Sequence, residues 1–177
     1  SRGLGDVYKR QIGRAFARRL KGFNTRILYH NRTQNPEAEK ELDATYVSFE
    51  TLLKESDFVI CTAPLTPQTE NQFDSKAFNL MKNDAIFINI GRGAIVDETA
   101  LVEALRNHTI LGCGLDVLRQ EPIDVNHPLL KLDNAVIVPH IGSASRLTRD
   151  RMVQLCVNNI LAVLNHQLPI TPVKVNN

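Results

Sequence analysis

The feature that most constrains this chain is an alternation. Short, nearly continuous apolar runs keep returning, and amphipathic stretches of helical length stand between them. The runs are Arg26–His30 (RILYH), Phe58–Thr62, Ala85–Ile90, Ile110–Val117 and Ala135–Val138. Such runs, rich in branched and aromatic side chains, read as strands, and the absence of a polar alternate position means both faces are covered. Between them, Ile12, Ala15, Phe16 and Leu20 recur at helical spacing. Pro36 opens a helix over Glu37–Leu42, Ser48 caps one from Phe49 to Lys54, and Ser75–Met81 forms a third. Asp97 caps a helix ending near Asn107, and Arg146–Asn165 forms a long one closed off by Pro169. Strands alternating with helices define an α/β chain: a doubly wound parallel sheet joined by right-handed crossovers. No internal repeat is visible.

Composition narrows the function classes. At 177 residues the chain is one domain's worth, and 43% hydrophobic with 23% charged residues excludes disorder and low complexity. No apolar run approaches ~18 residues, so no membrane span is expected. Cys61, Cys113 and Cys156 are odd in number and far apart, which argues against disulfides or zinc and for a reducing, cytoplasmic compartment. Each sits in an apolar stretch and reads as a buried thiol, and no metal-ligand spacing stands out. Residues 1–32 carry nine Lys/Arg against one Asp, while the remainder carries twelve against eighteen acids. A nucleic-acid surface is one reading of this basic end, and it is not the expected one. Arg14, Arg18 and Lys21 instead share one helical face, which suits a solvated face near an anionic ligand.

In an open parallel sheet, ligands bind at the carboxyl ends of the strands. Those ends here carry Asn31, Arg32 and Thr33; Ala63, Pro64 and Leu65; Gly91, Arg92 and Gly93; Asp116; and Pro139, His140 and Ile141. The segments RILYHNRT, ESDFVICTAPLTPQT, INIGRGAIVDE, LGCGLDV with Glu121-Pro122 downstream, and VPHIGSA resemble the NAD(P)-binding domain of the D-isomer-specific 2-hydroxyacid dehydrogenases, on the side of the glyoxylate/hydroxypyruvate reductases. The resemblance covers Ile12 to about Pro172. It implies a Rossmann-type fold and hydride transfer between a nicotinamide cofactor and a 2-oxo acid, with Arg92, Glu121 and His140 matching the catalytic three. It also matches Gly13, Pro64, Thr69, Ile90, Asp116, His140 and Gly142 to cofactor-contacting positions, with Asp116 beside the nicotinamide end.

The chemistry of these residue types agrees with the resemblance. Arg92 offers a planar fork for a substrate carboxylate and carbonyl. His140 can donate the proton, and Glu121 beside it would keep the imidazolium charged near neutral pH. Taken singly, each residue has a plain structural alternative: a surface arginine, a capped core histidine, a turn glutamate, a capping aspartate. Cofactor choice turns on Tyr29–Gln34, which holds no acid to grip the ribose hydroxyls of NAD. Asn31, Arg32 and Thr33 suit the 2′-phosphate of NADP, so NADP is expected, with NAD the alternative.

The phosphate loop departs from the pattern. A GxGxxG turn should follow a first strand, yet Gly3 and Gly5 are separated from Gly13 by DVYKRQI. Residues 1–11 (SRGLGDVYKRQ) resemble a translated sequencing-adapter tail and are expected to be non-native, the alternative being a lengthened glycine loop. The expected organisation is therefore 12–165 as the NAD(P)-binding domain and 166–177 as a tail belonging to an absent substrate domain. The sheet is expected to lack its first, central strand, leaving its neighbours unpaired or the gap filled by an improvised segment. Within the family, a formate-oxidising branch usually lacks the Glu partner and NAD-preferring phosphoglycerate relatives keep an acid after the second strand, so both fit less well. Cofactor-gated corepressors retain the three residues and stay open as an alternative, as does an inactive fragment. A homodimer of the full-length protein is expected from the resemblance.

Overall fold

Local chemistry starts five of the helices. In the computed structural model, which describes residues 3–7 and 10–173 with side-chain surroundings from Ile12 onward, the side chains of Asn35, Ser48, Asp74, Asp97 and Ser145 each accept a backbone N–H from the first turn that follows. Short polar side chains at these positions satisfy amide donors that have no partner inside the helix. The helices are α1 (Arg10–Leu20), α2 (Pro36–Leu42), α3 (Phe49–Glu55), α4 (Ser75–Leu80), α5 (Glu98–Arg106) and α6 (Arg146–Leu164). The strands are β1 (Gly3–Val7), β2 (Arg26–His30), β3 (Ala44–Tyr46), β4 (Phe58–Cys61), β5 (Ile86–Asn89), β6 (Gly112–Leu115) and β7 (Ala135–Ile137).

All seven strands form one parallel sheet in the order β3-β2-β1-β4-β5-β6-β7. The order reverses between β1 and β4, the topological switch of a Rossmann-type sheet. Of the two outcomes expected for the central place, the structure shows the filled one. Gly3–Val7 occupies that place, pairing Gly3–Val7 with Arg26–His30 on one side and Leu4–Val7 with Phe58–Cys61 on the other. An empty slot would leave two rows of backbone donors and acceptors unpaired, and a five-residue segment with rows free on both edges satisfies both. The GLG of Gly3–Gly5 thus lies within a strand and is no phosphate turn. The expectations for residues 1–11 and 166–177 extend to 1, 2, 8, 9 and 174–177, which lie outside the described residues.

The chain divides into two compact units, Ser1–Pro139 and His140–Asn177. In the first, Leu52, Leu53, Val59, Phe73, Phe78, Phe87, Leu101 and Leu105 join one buried cluster, while Ala17, Ile27, Ala38 and Leu42 form a second. Phe73 and Phe87 rings stand 4.6 Å apart, and Phe78 meets Phe87 edge-on at 5.4 Å, geometry that aromatic quadrupoles favour. Cys61 and Cys113 are buried as expected, and burial pushes the Cys113 thiol up to about 12. Cys156 is exposed, which corrects the reading of three buried thiols. It lies on α6, in the second unit, where no helix residue is buried and Leu147, Met152, Ile160 and Leu164 face solvent.

Candidate functional site

The rim of the first unit is built loop by loop from strand ends. At the end of β2, the His30 ring stacks 6.0 Å from Tyr46, and its Nδ1 lies 2.9 Å from the Val47 carbonyl. Tyr46 donates its hydroxyl to the Asn31 carbonyl at 3.0 Å, and the Asn31 side chain accepts the Arg32 N–H at 2.9 Å. These bonds hold Asn31 half-buried while Arg32 and Thr33 stay exposed. Glu39, an acid in the neighbourhood, is already engaged: it accepts the Tyr29 hydroxyl at 2.5 Å and the Gln34 amide at 3.2 Å. Burial, with the Glu39 carboxylate adding to it, pushes the Tyr29 hydroxyl up to about 12, so it remains a donor throughout the neutral range.

After β4, Pro64 is exposed and Thr69 half-buried. The Thr69 hydroxyl donates to the Pro64 carbonyl at 2.8 Å and accepts the Thr66 N–H at 2.8 Å, so it ties its own loop together. After β5 comes a residue that the sequence reading missed. Asn89 is fully buried, accepts the Gly91 N–H at 3.0 Å and donates to the Arg92 carbonyl at 3.1 Å, so one amide shapes the turn that presents Arg92. The available signal was a polar residue ending an apolar strand, INI. A Cβ on Gly91 would sit 2.7 Å from the Ala63 carbonyl, so the loops after β4 and β5 touch backbone to backbone. Ile90 is half-buried at this junction, and the exposed Arg92 turns one guanidinium nitrogen to the Gly91 carbonyl at 2.7 Å.

After β6, Asp116 is half-buried, with its N–H on the Asn89 carbonyl at 3.0 Å. Glu121 is exposed, accepts the Leu118 N–H at 3.0 Å and precedes a cis bond to Pro122. A Cβ on Gly93 would fall 1.9 Å from the Leu118 carbonyl carbon, so the loop carrying Arg92 lies directly on the loop carrying Glu121. The first unit thus brings together Arg92, Asp116, Glu121 and the loops of Pro64, Thr69 and Ile90. His140 opens the second unit in a left-handed conformation, φ 52°, and Gly142 follows it, exposed. Gly13 is buried inside α1 against β2 and α2, lining a small apolar cavity with Ala17, Ile27 and Ala38.

The basic face of α1 meets α2. Arg14 and Arg18 both bind the Glu41 carboxylate, Arg18 at 2.6 Å, and Lys21 donates to the Glu41 carbonyl. Among the described residues no cluster of potential ligands could hold a metal ion, and no helix is long and apolar enough to cross a membrane. A nicotinamide dinucleotide fits the residues present. The loop after β2 offers exposed donors at Arg32 and Thr33 with Glu39 engaged by Tyr29 and Gln34, and Asp116 and the Gly91–Arg92 turn stand at the ends of β6 and β5. Residues 8 and 9, between β1 and α1, lie outside the described residues.

A parallel sheet with this switch and these rim loops defines a dinucleotide-binding domain of the Rossmann type. Residues 9–142 match the family described as D-isomer specific 2-hydroxyacid dehydrogenase, NAD binding domain, and the chain belongs to that family. It is 48% identical over 166 residues to a protein of Thermococcus litoralis named glyoxylate reductase, a match covering 94% of this chain and 50% of the relative. A solved protein of Thermus thermophilus matches with a TM-score of 0.92 at 47% identity, over 98% of this chain and 54% of that one. An NADPH-dependent glyoxylate/hydroxypyruvate reductase of Sinorhizobium meliloti, solved with NADP and malonate, matches with a TM-score of 0.89 at 37% identity, over 98% and 53%. The chain spans about half the length of the curated relatives it matches.

Proposed function

We propose that this chain is the cofactor half of an NADPH-dependent reductase that converts glyoxylate, hydroxypyruvate or a similar 2-oxo acid to the D-2-hydroxy acid. The observation that carries the reading is that Arg92, Glu121 and His140 follow strands of a Rossmann-type sheet in a chain 48% identical to a named glyoxylate reductase. Arg92 binds the substrate carboxylate and polarises the carbonyl as a charged fork. A nicotinamide dinucleotide held by these loops would supply the hydride for the carbonyl carbon. His140 delivers the proton to the carbonyl oxygen, and Glu121 keeps the imidazolium charged before that transfer. The phosphate-bearing cofactor is favoured because Arg32 and Thr33 are exposed and Glu39 is engaged elsewhere, and the Sinorhizobium meliloti relative was solved with NADP. Gly13, Asn31, Pro64, Thr69, Ile90, Asp116 and Gly142 complete the proposed cofactor contacts. The full-length protein would act on small 2-oxo acids as a homodimer in the cytoplasm.

The test is turnover by the full-length protein. NADPH oxidation with glyoxylate is expected, with NADPH bound more tightly than NADH. His140→Ala is expected to cut kcat by about 10²- to 10⁴-fold with NADPH affinity unchanged. Near-normal turnover of that variant, or tighter NADH binding, removes the respective part of the reading. Cofactor binding without turnover by the wild type would favour a cofactor-gated binding module.

A further inference from the structure

We propose that Glu98 and Arg119 form a clamp that positions the loop carrying Glu121 against the loop carrying Arg92. Neither residue belongs to the set assigned above. For its catalytic consequence the inference rests on the reductase reading, whereas its structural content does not.

Glu98 is the first residue of α5, directly after the Asp97 cap, with a side chain only 17% exposed. One carboxylate oxygen accepts the Arg119 N–H at 2.6 Å, two residues before Glu121. The other lies 3.3 Å from Nε2 of His127, six residues after Glu121. His127 is held in turn, because its Nδ1 accepts the Leu129 N–H at 3.3 Å, which leaves Nε2 to donate. A single carboxylate therefore grips both flanks of the segment bearing Glu121, and charge-assisted bonds of this kind are about twice as strong as neutral ones.

The Arg119 side chain carries the tie outward. Its guanidinium donates to the Ala94 carbonyl at 3.3 Å, two residues after Arg92, and to the Asn71 side chain, and it stands 3.6 Å from Glu70. Asn71 and Glu70 follow Thr69, so this guanidinium links the loops after β4, β5 and β6. The backbone contact at Gly93 leaves no slack between the Arg92 and Glu121 loops. Loops are ordinarily the mobile part of a site, and a proton donor's partner misplaced by ~1 Å can cost on the order of 100-fold in rate. The clamp removes that freedom before substrate arrives.

The experiment compares wild type, Glu98→Ala, Glu98→Gln and Arg119→Ala in the full-length protein by amide hydrogen exchange and by pH-dependent kinetics. Glu98→Ala should raise exchange at the Arg119 and Leu118 amides at least tenfold, with amides of β4, β5 and α5 unchanged. Glu98→Gln, which keeps an oxygen to accept the Arg119 N–H, should restore protection at Arg119. Arg119→Ala should loosen residues 91–95 and 116–122 together. With glyoxylate, and on the proposed role of Glu121 as partner to the proton donor, Glu98→Ala should lower kcat at least tenfold, leave KM for NADPH within twofold and move the basic limb of the pH profile downward. Unchanged exchange at 116–122 overturns the clamp, and so does a uniform rise across the chain, which would mean simple destabilisation. If the wild type turns over no 2-oxo acid, the reductase reading fails, and exchange alone still decides the clamp.

Discussion

Single residues at the rim act through the space they do not occupy. Gly93 is the sharpest case, since its missing Cβ would lie 1.9 Å from the carbonyl carbon of Leu118 and 2.0 Å from its oxygen. Backbone cannot move aside as the end of a flexible side chain can. Gly93→Ala is therefore expected to destabilise the protein by about 1–3 kcal/mol through overpacking, and to separate the Arg92 and Glu121 loops. Chemical denaturation should show a lower midpoint at unchanged slope, and an unshifted midpoint would mean the two loops separate at no cost. The RG of GRG catches the eye in the sequence, but the reason for its second glycine does not, because the backbone it touches lies 25 residues further on. Arg119 escaped notice for the same reason, since what makes it matter is a partner loop brought close by β-sheet pairing, whereas Asn89 acts on its own turn and its local signal was passed over.

At the level of elements, α1 and α2 are joined by charge. Arg14 and Arg18 hold the Glu41 carboxyl below its usual range, with the Arg14 bond the larger influence. A carboxyl depressed in the folded state contributes stability above its unfolded pKa, and that contribution disappears as pH falls through the folded value. Glu41→Gln should consequently melt below wild type at neutral pH, and the gap should close as the solution is acidified below the carboxylate range. Added salt should narrow it as well, because these groups are solvent-accessible. A gap independent of pH would show that the carboxylate's charge contributes nothing. The elements themselves were largely legible. Ser48, Asp97 and Pro36 mark their helix starts through side-chain and ring chemistry that acts within a few residues, and the apolar runs mark β2 and β4–β7. The three-residue β3 carries too little pattern to be read, and ATY becomes a strand because β2 offers it a free edge.

For the whole first unit, the decisive element is β1. GLGDV holds two glycines and an aspartate, residues depleted in strands, so its intrinsic propensity is poor. Pairing on both edges overrides propensity, as it does for central strands generally. Deleting residues 1–7 should leave β2 and β4 with unpaired facing edges, and the truncated chain is expected to self-associate in size-exclusion chromatography and to melt less cooperatively. A monodisperse product with an unchanged melt would mean that β1 contributes nothing to the sheet.

The sequence by itself determined the fold class and most element boundaries, because periodicity and capping are local information. The roles proposed for Arg92, Glu121 and His140 came from the family resemblance of the motifs that hold them. Only the tertiary structure decided that Gly3–Val7 completes the sheet, that Arg14 and Arg18 meet Glu41, that Cys156 is exposed, and that Glu98 and Arg119 bind the rim loops together. These depend on which distant segments meet, and a short polar side chain or a poor strand former has no signature until a partner supplies one.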